Sequence, residues 1–161
     1  MLPIDATINA PVVDGLELRD GLADRETYRS VDAVNTEAFT GAILVDDPER
    51  DAMRERRRLD NIAYASRRVI FATVDGEPAG SAGLNLFPPD GATLNGGAVR
   101  PKFRGRGVYR ALLAARLDMA REAGVAGVSV WGGPMSAPIL ERLGFQTVGW
   151  RRFYPDPSTP G

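Results

Sequence analysis

Residues 99–113 read VRPKFRGRGVYRALL, a run that joins a strand pattern to a helix pattern. Gly105 and Gly107 let the main chain turn sharply and come close to a ligand. The first amides of a helix have no partner inside it, and the helix dipole is positive at that end. The turn is therefore suited to bind phosphate, with a plain solvated turn as the alternative. Apolar side chains follow at helical spacing, namely Val108, Leu112, Ala115 and Met119.

The composition excludes several classes of chemistry. The 161 residues fit one domain, and 20 basic against 21 acidic residues leave no overall field that would recruit nucleic acid or an anionic membrane. The chain has no His and no Cys, so a His base, a Ser-His-Asp triad, a Cys nucleophile and a Cys/His zinc site are all excluded. Catalysis would have to come from carboxylates, Tyr, Ser, backbone dipoles, water or positioning.

No apolar run reaches the ~18 residues of a membrane span, and cytoplasm is the default expectation.

Capping residues and periodicity predict the other elements. Asp24 is an expected N-cap of a helix that ends near Ala38, and Asp47-Pro48-Glu49 is expected to open a second helix. In that second helix Met53, Leu59, Ile62 and Ala63 are predicted to form an apolar side, with the arginines at 54, 56, 57 and 58 largely solvated. A short helix is predicted over Pro134–Leu143. Strands are predicted over Leu16–Arg19, Val69–Val74, Pro78–Leu86, Ala92–Val99, Gly127–Trp131 and from Phe145 to Tyr154.

This order predicts an α/β (α+β) domain with a mixed, mostly antiparallel sheet flanked by helices. The strands at Ala92–Val99 and Gly127–Trp131 should be parallel, because a helix connects them. Residues 1–15 are expected to be a lead-in segment, either flexible or docked loosely at an edge. Residues 16–154 form the domain, and residues 155–161 are an expected disordered tail.

Two motifs resemble one family. The 99–113 run resembles the acyl-CoA-binding segment of the GNAT superfamily of N-acyltransferases, and residues 139–145, ILERLGF, look like its helix-to-strand ending. The separation of the motifs and the element order are also similar, over roughly Leu16 to Tyr154. The resemblance implies that the two parallel central strands splay apart.

The resemblance also implies a cofactor and a reaction. Acetyl-CoA or another acyl-CoA would be the co-substrate, with its pantetheine paired to the strand edge at Gly97, Ala98 and Val99. Its pyrophosphate would lie on the turn formed by Arg104, Gly105, Arg106, Gly107, Val108, Tyr109 and Arg110. The acyl group would pass by direct attack, in a ternary complex, to a small-molecule or peptide amine. No metal, nucleic acid or membrane partner is expected, and a homodimer is one alternative for the oligomeric state.

The sequence departs from the family pattern at three positions. Tyr109 stands where the family usually has Gly or Ala, and its side chain would point away along the helix or cover part of the cofactor. Leu140 replaces the Tyr that usually protonates the departing thiolate, and Val128 occupies a position where a carboxylate base is often found. Ser136 and Tyr154 are the candidate catalytic residues, with a helix cap and an aromatic cover of the sheet end as their structural alternatives.

Two other functions remain as alternatives. The residues at 128 and 140 are compatible with an acyl-CoA sensor or regulator that keeps the fold but has weak turnover or none. The arginine-rich runs at residues 54–58 and 104–110 are compatible with a nucleic-acid-binding module.

Overall fold

The computed structural model describes residues 1–45 and 47–152. Its strands are β1 Leu2–Pro3, β2 Leu16–Asp20, β3 Arg67–Val74, β4 Glu77–Phe87, β5 Gly91–Val99 and β6 Gly127–Val130. Its helices are α1 Arg25–Thr40, α2 Pro48–Ala63, α3 Val108–Glu122 and α4 Ala137–Arg142, with a single 3-10 turn at Pro101–Phe103.

The strands form one mixed sheet in the order β1-β6-β5-β4-β3-β2. β5 and β6 are parallel, and every other neighbouring pair is antiparallel. The two sides of the sheet carry different helices: Ala98 packs in a cluster with α1, whereas Val99 packs in a cluster with α3. The predicted mixed sheet flanked by helices is confirmed.

The first two helices begin as the capping residues predict. The Asp24 carboxylate accepts a hydrogen bond from the Thr27 amide at 2.8 Å, and Asp47 accepts one from the Glu49 amide at 2.9 Å. α1 continues two residues beyond its predicted end near Ala38. It stops at Gly41, which has a left-handed φ of 73°.

The predicted orientation of α2 is wrong, because this helix buries its charged side. Arg54 is 5% exposed, and its Nε donates to the Asp32 carboxylate at 2.8 Å. A guanidinium nitrogen of Arg58 donates to the Leu22 carbonyl at 2.8 Å. Met53 is 59% exposed, and Leu59 and Ile62 are also exposed. The reason is that α2 packs beside α1, where carboxylate and carbonyl acceptors can satisfy buried arginines.

The first residues of the chain occupy the outer edge of the sheet. β1 pairs antiparallel with β6, and Leu2 is 2% exposed. The Gln146 amide donates to the Met1 carbonyl at 2.9 Å, which connects the start of the chain to the segment after α4.

The predicted final strand is wrong over its described part, because residues 145–152 form no strand. The outer edge of β6, which a returning strand would use, is paired with β1 at Gly127 and Val128. Phe153, Tyr154 and the predicted tail lie outside the described residues. No helix within the described ranges is long and apolar enough to cross a membrane.

Candidate functional site

The two parallel strands part after only a short paired stretch. β5 and β6 pair at Ala92–Leu94 opposite Val128–Val130. Beyond Leu94, β5 continues to Val99 with β4 as its partner, while the chain after β6 enters the loop 131–136. We call the gap between residues 95–99 and this loop the splay. It leaves one edge of β5 without a neighbouring strand in the described structure.

A bulge in β5 lies beside the splay. Asn95 and Ala98 pair with Gly83 and Ser81, so Gly96 and Gly97 together lie opposite one residue of β4. Gly96 has a φ of 52°, a conformation that favours glycine. Two adjacent glycines inside a strand pattern could have predicted this bulge from sequence.

The turn between β5 and α3 presents unpaired amides. Gly105 and Gly107 have φ values of 76° and 92°, and α3 begins at Val108. Within the described residues, no backbone amide from 105 to 110 donates a hydrogen bond; the first that does is Ala111, to the Gly107 carbonyl at 3.0 Å. The first amides of α3 therefore have no backbone partner, as is usual at a helix start, and they lie at the end where the helix dipole is positive.

The turn is held in place from both sides. Phe103 is buried, and the side chains of Lys102 and Arg106 lie 5.0 and 5.3 Å from the centre of its ring. Arg104 donates to the carbonyls of Val99 at 3.2 Å and Ala38 at 3.1 Å. Arg104 thus positions the turn relative to β5 and the end of α1, in addition to adding positive charge.

The N-terminal segment passes over this turn. A Cβ at Gly107 would lie 2.5 Å from the Pro11 ring, and Arg110 donates to the Asn9 carbonyl at 2.9 Å. Further along α3, Arg121 donates to the carbonyls of Ile4 at 2.9 Å and Ala6 at 2.7 Å. These contacts make residues 4–13 one wall of the candidate phosphate site, a feature that sequence reasoning missed.

Tyr109 points at the sheet rather than away along the helix. Its Cε2, the carbon next to the hydroxyl-bearing carbon, is 3.1 Å from a Cβ built on Gly97. Side chains on a strand project perpendicular to the sheet. A ring that lies next to the Cβ position of Gly97 therefore covers a face of β5 and leaves the hydrogen-bonding edge of that strand free. Burial raises the pKa of Tyr109 above its ordinary value of 10.0, and Arg116 opposes this rise.

Arg116 is a buried cation that sequence reasoning also missed. It is 2% exposed, and its Nε donates to the Leu112 carbonyl at 3.1 Å. Desolvation lowers its pKa to about 10, while the neighbouring Tyr109 works in the opposite direction. No carboxylate forms an ion pair with it in the described parts of the chain. The sequence offered one signal for this contact: Arg116 follows Tyr109 by seven residues, which places the two side chains on the same face of one helix.

The remaining candidates lie around the far side of the splay. Ser136 precedes α4, but its hydroxyl accepts from the Gly133 amide at 3.0 Å rather than from an amide of the helix. α4 begins at Ala137, three residues later than predicted. Leu140 and Val128 are both buried in the cluster between α3 and the sheet. Tyr154 lies outside the described residues.

The described residues contain no cluster of three or more His, Cys, Asp or Glu side chains that could hold a metal ion. The site consists of a free strand edge, a turn of bare amides, several arginines and one half-buried tyrosine. Such a set can bind an extended amide chain that ends in a diphosphate.

The comparisons with known proteins agree on one family. The model of the Acetyltransferase (GNAT) family matches residues 31–145. A search of curated protein sequences gave no significant match. The chain is similar in structure to glucosamine-6-phosphate N-acetyltransferase from Arabidopsis thaliana, with a TM-score of 0.68 and 12% identity over 87% of this chain and 97% of the other.

Two other solved structures give the same result. An acetyltransferase from Trypanosoma brucei has a TM-score of 0.69 and 21% identity over 88% of this chain and 99% of the other. An aminoglycoside N-acetyltransferase in complex with CoA has a TM-score of 0.69 and 18% identity over 92% and 99%. The family match supports acyl transfer in general. Its model covers well over half of the sequence, and the chain belongs to the Acetyltransferase (GNAT) family.

Proposed function

We propose that this protein is an N-acyltransferase that moves an acetyl or other short acyl group from acyl-CoA to an amine by direct attack in a ternary complex. One observation carries the proposal: a turn whose amides are bare from residue 105 to residue 110 adjoins a strand edge that has no neighbour. The family match and the CoA in a neighbouring structure support it.

The acyl donor would lie along β5 and end at α3. The edge at Gly97, Ala98 and Val99 would pair with the amides of pantetheine, as an added strand would. The amides of residues 105–110 would hold the pyrophosphate, with Arg106 and Arg110 adding charge. The residues present fit this ligand, because the Tyr109 ring covers the face of the strand and not its edge.

The acceptor is proposed to be a small-molecule amine. Two similar structures carry names that specify glucosamine 6-phosphate and aminoglycosides as substrates. A peptide amine is the second acceptor class. The acceptor nitrogen would enter the splay from the side of loop 131–136, opposite the pyrophosphate turn.

Positioning the acceptor amine against the thioester would supply most of the rate acceleration. A well-oriented nucleophile gains an effective molarity of about 10⁵–10⁸ M, whereas general acid–base catalysis is worth about 10²–10⁴-fold. An alkylamine, with a pKa near 10.4, must lose a proton before it attacks. Water in the splay could accept that proton, so the apolar residue at 128 does not prevent the reaction.

Acetyl-CoA should stabilise the fold and should release its thiol when an amine is added. We expect a thermal-shift titration with acetyl-CoA to raise Tm, and a thiol-detecting dye to report turnover across a panel of amino sugars, aminoglycosides and peptides. Arg106→Glu places negative charge beside the bare amides and should weaken donor binding, whereas Arg56→Glu makes the same charge change on α2 and should not. No rise in Tm at millimolar acetyl-CoA would contradict the proposal.

A CoA-binding regulator without turnover is the second candidate. The buried Leu140 and Val128 favour it, since neither can transfer a proton. A rise in Tm with acetyl-CoA and no thiol release with any amine would support this function instead. The nucleic-acid alternative is weakened at residues 54–58, because two of the four arginines there, Arg54 and Arg58, form ion pairs with carboxylates inside the fold.

A further inference from the structure

A row of polar side chains crosses the sheet on the face that carries α1. Its members lie opposite one another on four neighbouring strands, β3 to β6, and are Arg67, Asn85, Thr93 and Ser129. The residues that flank the last three along their strands pack in the cluster under α3, so these three point to the other face. Val69, two residues after Arg67, packs in the cluster under α1. All four side chains of this polar row are half-buried.

The polar row is connected within itself and leads to the splay. A terminal guanidinium nitrogen of Arg67 donates to the side-chain oxygen of Asn85 at 3.0 Å. The hydroxyls of Thr93 and Ser129 are 3.3 Å apart. Asn95, the next residue of β5 on this face, is the first residue of the splay, and its amide donates to the Thr93 carbonyl at 3.3 Å. The polar row therefore forms a floor beside the place where the acyl group would be transferred.

A glycine holds the Arg67 guanidinium close to the splay. A Cβ built on Gly83 would lie 2.6 Å from the Nη2 atom of Arg67 and 2.9 Å from its Cζ atom, so the guanidinium lies directly over this glycine. Gly83 pairs with Asn95 across β4 and β5. Neighbouring strands are about 4.8 Å apart, so the charge lies about one strand spacing from the first residue of the splay.

The charge of Arg67 is not neutralised by the protein. In the described part of the chain no carboxylate forms an ion pair with it, and its guanidinium makes one hydrogen bond, to the uncharged Asn85. Its Nε is enclosed and has no acceptor there. Burial lowers the pKa of Arg67 below its ordinary value of 12.5, with Tyr28 acting in the opposite direction. A half-buried guanidinium with donors to spare is suited to bind a carboxylate or a phosphate.

We propose that the acceptor is an amine that carries an anionic group, a carboxylate or a phosphate, and that Arg67 binds this group on the polar row. This inference rests on the proposed function and names the class of its acceptor. With the anionic group at Arg67, the amine of a small acceptor would reach the splay past Asn95. The polar row contains no carboxylate, so a polycationic aminoglycoside should be a poor acceptor.

Two matched pairs of acceptors test the charge preference. Glucosamine 6-phosphate and glucosamine differ by a phosphate, and alanine and its amide differ by a carboxylate. The amine of the amide is the less basic one, so a preference for the free acid cannot come from the amine itself. We expect kcat/KM for thiol release from acetyl-CoA to be at least about tenfold higher for the anionic member of one pair, the size of a charged hydrogen bond. The pair that responds distinguishes phosphate from carboxylate.

Arg67→Gln removes the charge and keeps a side-chain donor for Asn85. It should lower kcat/KM for the anionic member about tenfold or more, bring the ratio within the pair close to one, and leave the Tm rise with acetyl-CoA unchanged. Arg68→Gln makes the same charge change at the next residue of β3, which is exposed, and should keep the ratio. Gly83→Ala keeps the charge but displaces the guanidinium, and should also reduce the ratio.

The outcomes separate this inference from the proposed function. A protein that acylates amines without preferring the anionic member of either pair would overturn the inference and leave the proposed function standing. A preference that persists in both Arg67→Gln and Gly83→Ala would overturn it as well. An equal loss of kcat/KM on both members of a pair would mean that Arg67 supports the sheet and does not bind the acceptor. An absence of thiol release with every amine would overturn the proposed function, and this inference with it.

Discussion

Gly107 meets two requirements that only glycine satisfies. Its φ is 92°, and a Cβ there would lie 2.5 Å from the Pro11 ring and 3.1 Å from Val13. Gly105, two residues earlier, has a similar φ of 76° but open space within 4 Å. The two glycines therefore separate the effect of backbone conformation from the effect of contact with the N-terminal segment.

We expect Gly105→Ala to lower the free energy of unfolding by about 1 kcal/mol, the cost of a left-handed residue. Gly107→Ala should lower it by about 2–3 kcal/mol, because the new methyl group also displaces Pro11. Denaturant titration of both variants measures the difference. Equal losses would mean that Pro11 does not rest on this turn.

At the scale of elements, α2 is attached through charge rather than through an apolar stripe. Its inward face carries Asp51, Arg54, Glu55, Arg58 and Asn61, at the spacing of one helix side. Arg54 bridges to Asp32 on α1, and Asn61 donates to the Tyr28 hydroxyl at 3.1 Å. The attachment of α2 should therefore depend on hydrogen bonds to charged groups.

Arg54→Leu should lower the free energy of unfolding by about 1.5–3 kcal/mol, because it leaves Asp32 and Asp51 without their partner. Arg56→Leu makes the same change at an exposed position of α2 and should alter stability by less than about 0.5 kcal/mol. Urea unfolding followed by circular dichroism gives both values. If the two variants were equally stable, Arg54 would not hold α2 to α1.

At the scale of the whole molecule, the chain closes its own sheet with its first residues. Leu2 is 2% exposed and pairs with Val128, while the main chains of Met1 and Gln146 hydrogen-bond to each other. β1 covers the edge of β6, which would otherwise be open to pairing with other chains.

Leu2→Ala should therefore lower the free energy of unfolding by about 2–4 kcal/mol, as expected for a fully buried leucine. Val12→Ala lies in the same segment but is 94% exposed, and should cost less than about 0.5 kcal/mol. Thermal and urea unfolding compare them. A Leu2 variant as stable as the unmodified protein would mean that the first residues do not belong to the core.

The sequence alone determined the features that depend on local chemistry. Asp24, Asp47 and Pro48 fix where two helices begin, since a cap acts on amides within three residues. The apolar strand runs bounded by turn residues, together with the glycines before α3, predict the sheet, the crossover and the candidate phosphate turn. The family followed from two motifs at a given separation.

The tertiary structure decided what depends on partners far away in the chain. Arg54 is buried because Asp32, 22 residues earlier, faces it, and no pattern within α2 encodes that partner. The segment after Phe145 forms no strand because Leu2–Pro3 already pairs with β6. Tyr109 could have pointed in either direction along α3; contact with Gly97, a residue of another element, places its ring against β5. Segments far apart in the sequence can pair with the same strand edge or the same charged group. Which of them does so depends on the packing of the whole chain and not on local sequence.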